Sequence, residues 1–317
     1  MEKNSKKTGL LRSVGVLLLA VIFIAPAVSF ARSTRDIYVD ANAGSNQDGS
    51  IKHPYKKIED AIKKAKKTDR KVEIHVAKGT YRENIEVPSD TKIFGEDKKN
   101  TIIKAKDGDR PVVKLNHKTE INKFTIEDGE YGVVIDDDDR ASVIKCVIKN
   151  NDKDGVKIKR ASIDDKYIAS VTESDIYDNG RSGIYSEKRR LSLIDNFIHE
   201  NDGDGIDISG GAQAWIAGNK VKENEKSGMK LTLDGSYIWT KNNTYYENKR
   251  EGLEVNSYGG TGRIDINKSK FYKNDKYGIA RVKRGTFNNS IWNGLTVQSD
   301  AIFWENNQGN ISDSIKN

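Results

Sequence analysis

Five side chains recur two residues after a glycine: Lys157, Tyr185, Asp207, Lys230 and Glu254, following Gly155, Gly183, Gly205, Gly228 and Gly252. Brought into one column, they offer ammonium, carboxylate and phenol groups that could grip a glycan, anionic or neutral. The same composition suits an ordinary solvated face on which opposite charges alternate. Trp215 and Trp239, 24 residues apart, add two rings whose flat faces match the apolar face of a sugar. Trp292, Trp304, Tyr245, Tyr246 and Tyr258 are further ring candidates. The run from Asn201 to Asp207 is the densest acidic stretch of the repeat. Its Asp202, Asp204 and Asp207 supply oxygen ligands of the kind Ca²⁺ takes. The spacing is not that of an EF-hand loop, and Asp and Gly are also routine turn formers. Ca²⁺ is the only cofactor suggested. Asp136 to Asp139 reads as a solvated turn, and His53, His75, His117 and His199 show no ligand spacing. Elimination beside a uronate carboxylate would need a cation or Arg together with a base. No catalytic set can be named from these residues.

The elements that must position these side chains announce themselves as a repeat. Asn-x-x-x-Gly followed by an aliphatic residue occurs at Asn151/Gly155, Asn179/Gly183, Asn201/Gly205, Asn224/Gly228, Asn248/Gly252 and Asn274/Gly278, in steps of 28, 22, 23, 24 and 26 residues. Three residues before each Asn stands a large apolar residue: Ile148, Ile176, Ile198, Val221, Tyr245 and Phe271, with Phe303 in a degenerate last copy. Apolar and polar residues alternate within each repeat, the period of a strand. A period near 23 residues holding three short strands and three turns indicates stacked parallel β coils. Five residues before each Asn lie Cys146, Ser174, Asn196, Asn219, Asn243 and Ser269, small polar residues suited to an inward hydrogen-bonded ladder. Cys146 is then a buried filler and not a nucleophile. Glycine is expected to supply a backbone conformation closed to other residues, and the asparagines to tolerate left-handed geometry and bond their own turns. The long step between Asn151 and Asn179 places an extra loop near Arg160 to Lys166.

Composition agrees with a solenoid. Of 317 residues only 35% are hydrophobic while 32% are charged, and each coil of a solenoid buries only a thin core. Lys3, Lys6, Lys7 and Arg12 precede an apolar run from Val14 to Phe30 that ends in small residues at Ser29 and Ala31. This predicts a signal peptide, or alternatively a membrane anchor, over residues 1–31. Location is then secreted, periplasmic or cell-surface, with no membrane contact beyond that segment. Without it the charge balance is 50 basic to 46 acidic residues, interspersed, and nucleic acid is not an expected partner. A single cysteine excludes an intramolecular disulfide. Residues 54–67 place Ile58, Ala61, Ile62 and Ala65 on one helical face and predict a cap over the first coil.

Gly79-Thr80-Tyr81-Arg82-Glu83 resembles the Gly-x-Tyr-x-Glu motif in the early coils of pectin methylesterases. Thr91 to Glu96, followed by Thr101-Ile102-Ile103, is similar to the next coil of that family. Ile37 to Asp40 with His53 to Ala61 resembles the start of many secreted β-helix proteins of the pectin lyase-like superfamily. The resemblance implies a polysaccharide substrate class. The catalytic segments of the esterases are absent, as is the Asp-Pro-His-Asp signature of mannuronan epimerases, which Asp136 to Arg140 matches only superficially. The expected fold is all-β: a single-stranded right-handed parallel β-helix of about nine or ten coils with a short N-terminal capping helix. Residues 32–70 would form the first strand and cap, 71–310 the β-helix and 311–317 a tail. The expected function is binding, with or without modification, of a polysaccharide or cell-envelope glycan by a monomer. A non-enzymatic surface structural or adhesion protein and a divergent lyase or uronate epimerase are the alternatives.

Overall fold

The computed structural model describes residues 34–259, 261–284, 295–297 and 300–312. The expected leader, Trp292 and most of the expected tail lie outside them. Within the described residues the chain winds through three parallel sheets of eleven, ten and ten strands. A typical turn runs from Ala141–Ile144 in the first sheet to Val147–Lys149 in the second and Val156–Ile158 in the third, then back to the first at Ala169–Thr172. Every strand pairs in parallel with its equivalent one repeat away. The expected parallel β-helix is the observed fold.

The register follows the apolar columns. Ile148, Ile176, Ile198, Val221, Tyr245, Phe271 and Phe303 are successive partners in the second sheet. All but Phe303 are fully or almost fully buried. Tyr245, Phe271 and Phe303 stack ring on ring at 5.1 Å. Tyr245 is therefore an interior ring and not a surface platform. A one-residue slip would turn each column to solvent, so burial sets the register.

Two buried polar ladders run beside these columns. Asn151 donates through Nδ2 to Asn179 Oδ1 at 2.9 Å, and the pattern continues through Asn201, Asn224, Asn248 and Asn274 to Asn306. In the turn between the first and second sheets, Cys146 N–H donates to Ser174 Oγ and Ser174 N–H to Asn196 Oδ1. Asn196 and Asn219 each donate through Nδ2 to the next Asn at 2.9 Å, and Asn243 N–H donates to Ser269 Oγ. Burial pushes the Cys146 thiol up to about 11.

The glycines act differently from the sequence-based expectation. Gly155, Gly183, Gly205, Gly228, Gly252 and Gly278 do not have positive φ. The left-handed positions are the residues before each Asn: Asn150, Asp178, Glu200, Glu223, Glu247 and Lys273, with φ between 51° and 56°. The Asn side chain holds that turn, for example through Asn201 Nδ2 donating to His199 O at 2.9 Å, which offsets the local strain. Glycine is needed because coils approach closely there. A Cβ on Gly205 would lie 2.3 Å from Val221 Cγ1 and 2.6 Å from the Gly228 carbonyl oxygen.

At the N-terminal end, Arg35–Val39 adds a strand to the first sheet. The helix Ile58–Ala65 turns Ile58, Ala61, Ile62 and Ala65 into the core. The extra residues after Lys159 form a loop with a 3-10 turn at Asp165–Tyr167, between the third and first sheets.

Candidate functional site

Along the outer face of the third sheet, Lys157, Tyr185, Asp207, Lys230 and Glu254 are register partners one after another. They are not uniformly solvated. Lys157 Nζ lies 4.6 Å over the Tyr131 ring and 3.2 Å from its hydroxyl. Lys230 Nζ donates to Asp207 Oδ2 at 3.0 Å. Glu254 is only 4% exposed and accepts from Ser227 Oγ at 3.2 Å and from Asn256 Nδ2 at 2.9 Å.

A second polar column, of which the sequence singled out only Asp204, stands immediately before the repeat glycines: Asp154, Ser182, Asp204, Ser227 and Glu251, all buried. Ser182 N–H donates to Asp154 and Ser227 N–H to Asp204, at 3.1 and 2.9 Å. Glu251 Oε2, at 3.3 Å, shares the one Ser227 hydroxyl proton with Glu254. Arg250 and Lys276 approach Glu251 at 3.8 and 3.7 Å. Their fixed position before each Gly is the signal that could have revealed them, but a polar residue there reads as a turn former. Burial pushes Asp204 up to about 6; the Ser227 amide opposes that shift, and Asp207 reinforces it. Burial also raises Asp154. Burial works to lower Lys230, but the carboxylate of Asp207 outweighs it and the ammonium is raised.

The proposed calcium ligands do not converge. Asp202 is exposed, Asp204 is held by Ser227, and Asp207 is paired with Lys230. Their ligand atoms do not all come within 4.8 Å of one another.

Trp215 and Trp239 lie on a different face. They are direct register partners on the outside of the first sheet, 47% and 46% exposed. The glycan-contact candidates therefore divide between two sheets. Tyr237, also exposed, shares its strand with Trp239 and stands between Gln213 and Arg263 of the neighbouring coils. Arg263 Nε donates to both carboxylate oxygens of Asp265, at 2.9 and 3.0 Å. Tyr237, Trp239, Arg263 and Asp265 line an open cavity of about 430 Å³. These rings stand on a sheet fixed on both sides, which removes most of the cost of ordering a binding surface. On the second sheet, Tyr246, Tyr272 and Trp304 stack at 4.9 and 4.0 Å. Tyr258 is exposed.

The esterase-like motif is structural. Tyr81 Oη accepts from Ala41 N–H and donates to the Ala77 carbonyl, and burial pushes its pKa up to about 12. Glu83 caps the helix.

A family model described as "Right handed beta helix region" matches residues 131–296, and one described as "Protein of unknown function (DUF1565)" matches residues 41–210. A search of curated proteins finds no match. Among solved structures, the chain is similar to XylC in complex with xylose (TM-score 0.57, 10% identity, 83% of this chain and 70% of that one). It is also similar to an alginate lyase from Paenibacillus sp. str. FPU-7 (0.55, 12%, 87% and 99%) and to the Dettilon tailspike protein (0.53, 14%, 82% and 57%). The chain thus spans less than two thirds of the tailspike's length. These likenesses establish a shared fold. With each family model covering more than half of its length, the chain belongs to the right-handed β-helix family and also to the DUF1565 family.

Proposed function

We propose that this is an exported β-helix protein that binds a polysaccharide through the face carrying Trp215, Tyr237 and Trp239. The observation that carries the reading is the pair of half-exposed tryptophans in direct register. Large rings left in solvent on a rigid sheet are the anchors that sugar faces stack on, and the Arg263–Asp265 pair beside them offers polar groups to hydroxyls. One structural neighbour is described in complex with xylose and another as an alginate lyase, which supports a glycan as ligand. Export is supported by the basic segment and apolar run at the N-terminus.

A second reading, modification of a uronate polymer, is favoured by the grouping of Asp207, Lys230 and Glu254 in register on adjacent coils beside Asp204, whose carboxyl is raised by burial. A panel of neutral and uronate polysaccharides, presented with and without Ca²⁺, tests both. Saturable binding without product supports the binding module. Formation of an ultraviolet-absorbing unsaturated uronate supports a lyase. Failure of every glycan, with capture of envelope proteins instead, would replace both with a structural or adhesive role.

A further inference from the structure

We propose that Asp36, Glu73 and His75 form a binding site for a divalent metal ion of the Zn²⁺ type. The site lies on the outer face of the first sheet near its N-terminal end, away from the tryptophan pair. Parallel register sets Asp36 opposite Glu73 and Tyr38 opposite His75. Glu73 and His75 are two residues apart on one strand and so share its outer face. The ligand atoms of the three residues all lie within 4.8 Å of one another, the one such group among the described residues.

Three observations go beyond proximity. First, the imidazole is held in place. It stacks between the rings of Tyr38 at 5.1 Å and Phe94 at 5.9 Å, with interplanar angles of 23° and 20°. Its Nε2 sits 2.9 Å from Asp36 Oδ1. Second, Glu73 has no hydrogen-bond or ion-pair partner among the described residues. The neighbouring cation in register with it, Lys92, pairs instead with Glu120 at 3.1 Å. A half-buried carboxylate left without a cation beside a fixed imidazole is an incomplete electrostatic arrangement that a bound cation completes. Third, the cluster is reachable. Glu73 lines an open cavity of about 300 Å³ and His75 one of about 360 Å³.

The donor set selects the class of ion. One imidazole nitrogen with two carboxylates suits Zn²⁺, whose ligands sit about 2 Å away and leave a fourth position for water or a ligand. Ca²⁺ wants six or more oxygens, which this face does not offer. His199 makes a useful contrast. Its two ring nitrogens are engaged separately, Nδ1 by Glu200 at 2.9 Å and Nε2 by Asp175 at 3.0 Å. The carboxylates therefore flank that ring on opposite sides and do not converge on one point.

The test is calorimetric titration of the full chain, freed of any purification tag, with Zn²⁺ and separately with Ca²⁺. The expected result is one saturable Zn²⁺ site. His75→Ala and Glu73→Gln should each weaken it at least tenfold, and His199→Ala should leave it unchanged. Both loss variants change surface-facing side chains, and circular dichroism melting of each checks that the fold is retained. Absence of saturable Zn²⁺ binding overturns the proposal, as does binding that survives either substitution or is lost in His199→Ala.

Discussion

The carboxylate of Glu83 accepts hydrogen bonds from the backbone N–H of Ile58, at 3.0 Å, and of its neighbour Glu59, at 2.7 Å. The residue at the N-cap position, Lys57, makes no side-chain cap, so a residue 25 positions away in sequence, just past the strand Gly79–Arg82, satisfies the first amides of the helix. Charge at this end also complements the helix dipole. The motif that resembles an esterase segment thus fastens the cap to the first coil. Glu83→Ala should cost about 1–2 kcal/mol, and Glu83→Gln less, because one acceptor oxygen remains. Urea denaturation of the two variants measures the difference, and hydrogen exchange at the Ile58 and Glu59 amides should accelerate in the alanine variant.

Asn219 is one of the most heavily used rungs described. Its side chain accepts from Asn196 N–H and Nδ2 and shares its two Nδ2 protons among Leu193 O, Ala217 O and Asn243 Oδ1. Asn219→Ala would leave several of these buried groups without partners, at about 3 kcal/mol or more. The urea midpoint should fall accordingly. A cost below about 1 kcal/mol would mean that water replaces the rung.

Gly205→Ala and Gly210→Ala separate the two reasons for glycine. Gly205 has ordinary φ but no room for a methyl group; Gly210 has φ +70° and nothing within 4 Å of where a methyl group would stand. The first should lose stability through overpacking against Val221 and the Gly228 carbonyl, about 1–3 kcal/mol or more. The second should lose only the left-handed backbone penalty, about 1 kcal/mol. Thermal melting of both variants would show the order.

Asp204 makes stability depend on pH in a specified direction. Its folded-state value is raised from 3.8 to about 6, so the folded state holds this proton more tightly than the unfolded chain does. The resulting stabilisation is fully present below about pH 4 and is lost as pH rises through 6. The shift corresponds to roughly 3 kcal/mol. Asp204→Asn keeps an acceptor for the Ser227 amide. It should gain stability near pH 7 and show little advantage near pH 4. Denaturation midpoints across that interval measure it.

Much of this architecture was legible because its signals repeat in phase. The Ile148 to Phe303 column could be aligned by counting back from each Asn, and the amphipathic face of Ile58, Ala61, Ile62 and Ala65 marked the cap. The role of Gly205 was not legible, since spacing shows that glycine recurs but not whether φ or close approach demands it. The division of Trp215 and Lys230 between two faces was hidden for a related reason. Both point outward from their strands, and outwardness alone does not say which of three sheets a strand joins. Asp154, Ser227 and Glu251 were missed because burial beneath neighbouring coils, and not residue type, separates them from turn formers. The Asp36–Glu73–His75 group was missed because its members come together only through pairing of strands separated by the cap.

The claim on which the functional account rests is that the paired tryptophans hold the glycan. The direct measurement is the affinity of the best-bound polysaccharide for the intact chain and for the Trp215→Ala/Trp239→Ala variant, by titration calorimetry. If each ring is an anchor worth about 2 kcal/mol, the double variant should bind more than a hundredfold more weakly while melting at nearly the same temperature. An affinity unchanged by removing both rings would contradict the account.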